Sequence, residues 1–426
     1  MVKSASGRWV CPIALLVVIL AFLGSDVTQA QGPDLWGPTL NLSQLAGQST
    51  NPAVGYEPTT AGYFVAWVDD GLGDRSEILG RRWNPGSGSW NPGLGSLPEN
   101  LSNSPWTDDG PTLSPDGQGG MLLLWTRRYA QFQGAPADGT DLMWRLWSGS
   151  GWSVEAVLMH ADTYLPGTFG VIPVAMPDSL MLFIVFDRGY RTVSYQNGAW
   201  GEVSPWTYLS VSLAEIVRDS AGTLHAAAFG ENSSQTGWDS WFLDAYYLAY
   251  DGATWSFPLN MSGTSGVAHD VGLALDQQGQ LHFLWSDADS IYSSESLKSA
   301  IWERIYQTNV WTDNAEVTEY NLDQAIHDFA LSTSSQGTLE LVWNEGLIVS
   351  GMHTGLDVYY QERTLAAWKA EELVHTSDLL SMYPVLAAGS SNRMVTWQEG
   401  MSTEREVFFR TDAFPRIRTY MPVISR

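Results

Sequence analysis

The feature that most constrains the fold is a unit that returns along nearly the whole chain: an apolar stretch, a glycine-bearing turn, and a β-rich run closing on an aromatic residue. Copies read Asp109-Gly-Pro-Thr-Leu-Ser114 with Met121-Leu-Leu-Leu-Trp125, Asp270-Val-Gly-Leu-Ala-Leu275 with Leu281-His-Phe-Leu-Trp285, and Asp328-Phe-Ala-Leu-Ser332 with Leu339-Glu-Leu-Val-Trp343. Gly119, Gly279 and Gly337 lie in the turns between the paired runs. Short β-rich runs joined by such turns read as antiparallel strand pairs. The closing aromatics are Trp67, Trp125, Phe186, Phe229, Trp285, Trp343 and Trp397, spaced 43 to 61 residues apart and 55 on average. A period a little above the roughly 50 residues of a kelch blade suits four strands with generous loops. Seven anchors therefore predict an all-β, seven-bladed β-propeller of four-stranded antiparallel blades.

Third strands follow several anchors, as in Leu142-Met-Trp-Arg-Leu-Trp147, Tyr246-Tyr-Leu-Ala-Tyr250 and Val407-Phe-Phe409. Most of the 21 tryptophans fall in register with the repeat, which assigns them to packing rather than to ligand stacking. A second motif, Asn41-Leu-Ser43, Asn100-Leu-Ser102 and Asn260-Met-Ser262, precedes the next anchor by 26, 25 and 25 residues and marks the fourth strand. Its first copy has no blade before it, while the last repeat ends after its third strand at Phe409. Residues 36–43 are thus expected to complete the last blade and remove its exposed edge. The same triplets fit a glycosylation consensus, as does Asn232-Ser-Ser234, but three of the four are repeat positions. The expected organisation is a signal segment at 1–30, a propeller over 31–412 and a tail over 413–426. Its blades fall near 51–102, 103–160, 161–205, 206–262, 263–320, 321–375 and 376–412 with 36–43.

Lys3 and Arg8 precede an apolar run, and the small residues Thr28 and Ala30 suit a cleavage before Gln31. Cys11, the only cysteine, falls within that segment, so the mature chain is expected to carry no disulfide and no thiolate site. The unbroken apolar run is shorter than the ~20 residues of a bilayer-spanning helix, and an exported or cell-surface protein is expected. With 46 acidic and 21 basic residues, a net charge of −25, nucleic acids and anionic membranes are poor partners. Zinc-helix, phosphate-loop, dinucleotide and serine-elbow motifs are absent from the sequence.

Gly252-Ala-Thr-Trp255 and the turns that end at His225 and His282 give the chain a resemblance to exported sialidase-like propellers with BNR or Asp-box repeats, covering nearly all of residues 36–410. The resemblance implies the propeller fold. Leu248 and Tyr250 stand where a full Asp box has Ser and Asp, and no Phe-Arg-Ile-Pro motif is found, so it does not imply sialidase activity.

Candidate site residues are the polar ones that share a repeat position. Two residues after the anchors come Asp69, Arg127, Arg188, Glu231, Asp287, Glu345 and Glu399. In ordinary propeller wiring these surround the channel mouth. Arg127 and Arg188 break an acidic ring on adjacent blades and, with Arg128, Asp187 and Arg191 beside them, suggest an exposed basic sector able to hold a carboxylate or sulfate, the alternative being loop residues that are polar because they are solvated. Where the first strands begin lie Asp109, Asp270 and Asp328, two of them preceded by His269 and His327. Aspartates there suit turn caps; clustered near a channel they could also bind a divalent cation or act as acid and base. His225 and His282 read as structural. No cofactor is evident. The expected function is a binding module that presents its channel-mouth face to a polysaccharide or a surface protein, with a glycan-cleaving hydrolase or lyase as the alternative.

Overall fold

A computed structural model describes residues 36–412 apart from 72–74, 130–138, 162–169, 187, 232–242, 264–266, 289–298, 319–323, 350–351, 354 and 402–403. The expected signal segment with Cys11, the tail, Asn232 and the side chain of His269 lie outside the described residues.

Seven antiparallel sheets, each with its strands in chain order, make seven blades over residues 49–100, 107–161, 170–208, 212–260, 267–316, 324–375 and 381–411. The last sheet is completed by Leu40–Asn41, which pairs with Glu404–Thr411 through Leu40 opposite Phe409 and Asn41 opposite Phe408. First strands of neighbouring blades pack side by side around the ring. Each blade is a hairpin extended by a third and a fourth strand, so the first strand begins, the second ends and the third begins on one face of the disc. All the candidate residues lie towards that face. No described helix is long and apolar enough to cross a membrane.

Packing explains the repeat. Trp67, Trp125, Trp285, Trp343 and Trp397 are fully buried in second strands. The Asn-Leu/Met-Ser motif supplies one buried apolar side chain, Leu42, Leu101 or Met261, and one hydroxyl that takes a third-strand amide. Ser43 Oγ accepts from Val407 N at 3.0 Å, Ser102 Oγ from Ile78 N at 2.9 Å and Ser262 Oγ from Ala245 N at 3.1 Å. The asparagines close the turn that follows, accepting from Gln44, Asn103 and Gly263 amides. At closure, Arg410 Nε also donates to Gly37 O at 2.6 Å.

Blade 4 corrects one anchor. Asn41 and Asn100 align across their sheets with Trp397 and Trp67, whereas Asn260 aligns through Tyr246 with Ala228. The anchor of that blade is therefore Ala228, not Phe229. His225 and His282 then fall equally, three residues before their anchors. His225 contacts Tyr247 Oη at 2.7 Å and Asp219 at 3.2 Å; His282 contacts Glu303 at 2.7 Å and Asp276 at 3.5 Å. Both rings are buried among these partners at the opposite ends of the strands from the candidate face.

Candidate binding face

In blades 1, 6 and 7 the acids that follow the anchors share a local task. A buried indole N–H needs an acceptor, and the carboxylate two residues on supplies it. Trp67 Nε1 donates to Asp69 at 3.3 Å, Trp343 to Glu345 at 3.2 Å and Trp397 to Glu399 at 3.2 Å. Asp69 also receives Ser49 Oγ at 2.6 Å, and Glu399 receives Ser381 Oγ at 3.0 Å and faces His375 Nε2 at 2.7 Å. Burial raises the pKa of Glu399, but His375 together with the hydrogen bonds from Trp397 and Ser381 outweighs it and holds the carboxyl below its ordinary range. Asp287 is buried at the same position in blade 5.

The first-strand acids bind their neighbours. Asp270 Oδ2 accepts from Phe329 N of the next blade at 3.0 Å, and Asp328 Oδ2 from Tyr383 N of the blade after that at 3.2 Å. Glu215 joins blade 4 to blade 5 in the same way, accepting from Leu273 N at 2.7 Å. Asp109 accepts from Asn51 Nδ2 of blade 1 at 3.2 Å. His327 N donates to Asn344 Oδ1 at 3.3 Å. Burial pushes Asp270 up to about 7, with the Asp328 charge adding to it, and burial pushes Glu215 up to about 8.

The arginines are not the exposed pair expected. Arg127 is only 5% exposed. Its Nε donates to Asp108 at 2.8 Å, and both terminal nitrogens donate to Glu155 at 2.9 Å. Burial lowers its pKa, but these two carboxylates outweigh that and raise it. Arg188 does not share its position: blade 3 turns directly from Phe186 into a third strand at Gly189, and Arg188 sits in that turn. It is half-exposed and paired with Glu231 of blade 4, which stands three residues after the true anchor and outside the acidic ring. Arg128 is half-exposed and reaches Asp109 at 3.2 Å.

Blade 2 departs from the repeat in a further way that the sequence did not show. Across the sheet from the ring position, the third strand carries an acid: Glu77, Asp141, Asp244, Asp357 and Glu406 in blades 1, 2, 4, 6 and 7. In blades 1, 4 and 7 that acid receives the fourth-strand serine hydroxyl, from Ser102, Ser262 and Ser43. In blade 2 the buried Asp141 instead accepts from Tyr129 Oη at 2.7 Å and contacts Nδ1 of His160, whose side chain is 58% exposed. Beside it, the Trp106 ring meets Tyr129 edge-on at 5.4 Å, with the Arg75 guanidinium 5.5 Å from the indole centroid. A carboxylate on Nδ1 selects one tautomer of a neutral histidine and stabilises the imidazolium, the form that binds an anion or gives up a proton. Burial, with Asp141 beside it, raises the Tyr129 pKa and keeps the phenol protonated as a donor. Among the described residues, no group of three His, Cys, Asp or Glu side chains could hold a metal ion.

No family model and no curated protein matches the chain. Among solved structures, an ulvan lyase of a polysaccharide lyase family is similar with a TM-score of 0.54 and 10% identity, over 87% of this chain and 95% of its own. A second structure of that enzyme, bound to -[GlcA(1-4)Rha3S]-, matches with the same values. The NanB sialidase from Streptococcus pneumoniae gives 0.43 and 9%, over 88% and 70%. The likeness to the ulvan lyase establishes the shared propeller fold.

Proposed function

We propose that this chain is an exported propeller that binds an acidic polysaccharide, bearing uronate or sulfate groups, on the face where its first strands begin. The contact sector is blade 2, with His160 held by Asp141, Arg128, and the Arg75–Trp106 pair. One observation supports the reading most: the third-strand acid that secures the fourth strand in blades 1, 4 and 7 is engaged in blade 2 by an exposed histidine and a tyrosine. The guanidinium groups supply donors for a carboxylate or sulfate ester, and the half-exposed aromatic rings give a sugar an apolar wall.

A charge-assisted hydrogen bond contributes about 1.5–3 kcal/mol, so His160→Ala or Arg128→Ala should each weaken binding about tenfold or more. The test is titration with acidic polysaccharides, -[GlcA(1-4)Rha3S]- chains among them because an ulvan lyase of like fold is bound to them. No acidic glycan bound by the wild type, or equal binding by the variants, rejects the reading. The same Tyr129–Asp141–His160 chain suits proton transfer and so favours, as a second reading, cleavage of the bound glycan. Incubating protein and ligand and following chain length decides between them.

A further inference from the structure

We infer that blades 3 and 4 carry a separate saccharide site, built for an uncharged pyranose, on the exposed rings of Trp206 and Tyr208 with the Arg188–Glu231 pair at their edge. Trp206 is 44% exposed and Tyr208 68% exposed; Trp206 immediately precedes the short edge strand Thr207–Tyr208, in which Tyr208 lies opposite Gly189. The backbone holds the indole in place. A Cβ on Gly189 would lie 2.2 Å from Trp206 Cζ2 and 2.4 Å from Cε2, so the indole rests directly on the third-strand glycine. Phe186 stands 6.3 Å away, centroid to centroid.

Large exposed aromatic rings cost solvation and mark a binding surface. Polar groups at the edge of the rings fix the kind of ligand. Arg188 donates to Glu231, and this carboxylate, with the Tyr208 side chain adding to it, raises the Arg188 pKa. The pair offers donors and acceptors side by side and is internally neutral, on a protein whose net charge is −25. That combination matches vicinal hydroxyls on a ring stacked over the aromatics and gives an anionic sugar no net attraction. The site stands independently of the blade 2 reading, since it shares no residue with it.

The test uses the whole mature protein against immobilised neutral glucans, mannans, xylans and galactans, with light scattering on the same samples. Binding of at least one of them, weakened tenfold or more by Trp206→Ala and several-fold by Tyr208→Ala with unchanged melting curves, supports the site. His160→Ala should leave this binding intact, which separates failure here from failure at blade 2. Gly189→Ala should lift the indole and weaken binding without touching the sugar. Failure to bind any neutral glycan, or binding that survives Trp206→Ala, overturns the inference. So does a dimer of the wild type that Trp206→Ala dissolves, since the rings would then be covered by a second copy.

Discussion

In blade 7, Glu399 takes the indole N–H of Trp397 and the hydroxyls of Ser377 and Ser381, and Glu406 takes the hydroxyl of Ser43 from the closing strand. In blade 2 the same backbone frame is filled differently. The indole of Trp125 donates to Asp108 on the first strand at 3.0 Å, which leaves the second-strand position to Arg127, while Asp141 holds Tyr129 and His160. A nearby acid takes the anchor indole N–H in blades 1, 2, 6 and 7, and a buried indole N–H without an acceptor costs about 1–3 kcal/mol. Which strand supplies that acid is open. Blade 2 uses this freedom, and the result is a buried carboxylate shared by a tyrosine and an exposed histidine.

The largest expected effect comes from cutting the blade 7 closure. Deleting residues 36–45 removes the fourth strand with the buried Trp36 and Leu42 and should abolish a single cooperative unfolding transition. Leu42→Ala alone should cost about 2–5 kcal/mol in chemical denaturation. A deletion variant with the wild-type melting curve would show that the blade does not depend on this strand.

Next in size is Arg127→Ala. Removing one member of a buried ion pair leaves carboxylates without their partner and typically costs about 3–5 kcal/mol. A loss well under 1 kcal/mol would show that Arg127 is no structural group. Arg188→Ala, at a half-exposed ion pair, should by contrast change stability by less than about 1 kcal/mol.

Acid dependence tests the ring that joins the blades. Asp270 and Glu215 have folded-state pKa values near 7 and 8, raised above the unfolded chain, so the folded protein binds more protons there. The stability they contribute is complete at low pH and is lost as pH rises through about 7 to 8. Lowering the pH from about 8.5 to about 5.5 should therefore raise the unfolding free energy by something on the order of 1–4 kcal/mol. Asp270→Asn with Glu215→Gln should flatten that slope. Below the usual carboxylate range the trend should reverse, because Glu399, held low by His375, then gains its proton and loses its stabilising contacts. Stability that falls steadily on acidification from about pH 8.5 would contradict the assignment.

How much of this could be read from the chain depends on the range of each interaction. The anchors, the glycine turns and the Asn-Leu/Met-Ser strand are local patterns that recur with the blade repeat, and they specify both the blades and the closure. Arg127 stood out as a break in an acidic series, yet its burial depends on Asp108 and Glu155, which only the pairing register and the fourth-strand path bring to it. Tyr129, Asp141 and His160 come from three strands, at spacings set by loop lengths that carry no signal of their own. Blade 4 misled by one residue because a small Ala228 fills the anchor position next to Phe229.

The measurement that bears most directly on the contrast between the two blades pairs acidic-polysaccharide titration with thermal melting for wild type, His160→Ala and Glu399→Gln. His160 is exposed, so its loss should change stability by no more than about 1 kcal/mol while weakening binding about tenfold or more. Glu399→Gln, which disturbs the buried network of blade 7, should lower the melting temperature and leave the affinity of the folded protein unchanged. The account is contradicted if His160→Ala binds as the wild type does, or if binding follows stability in both variants.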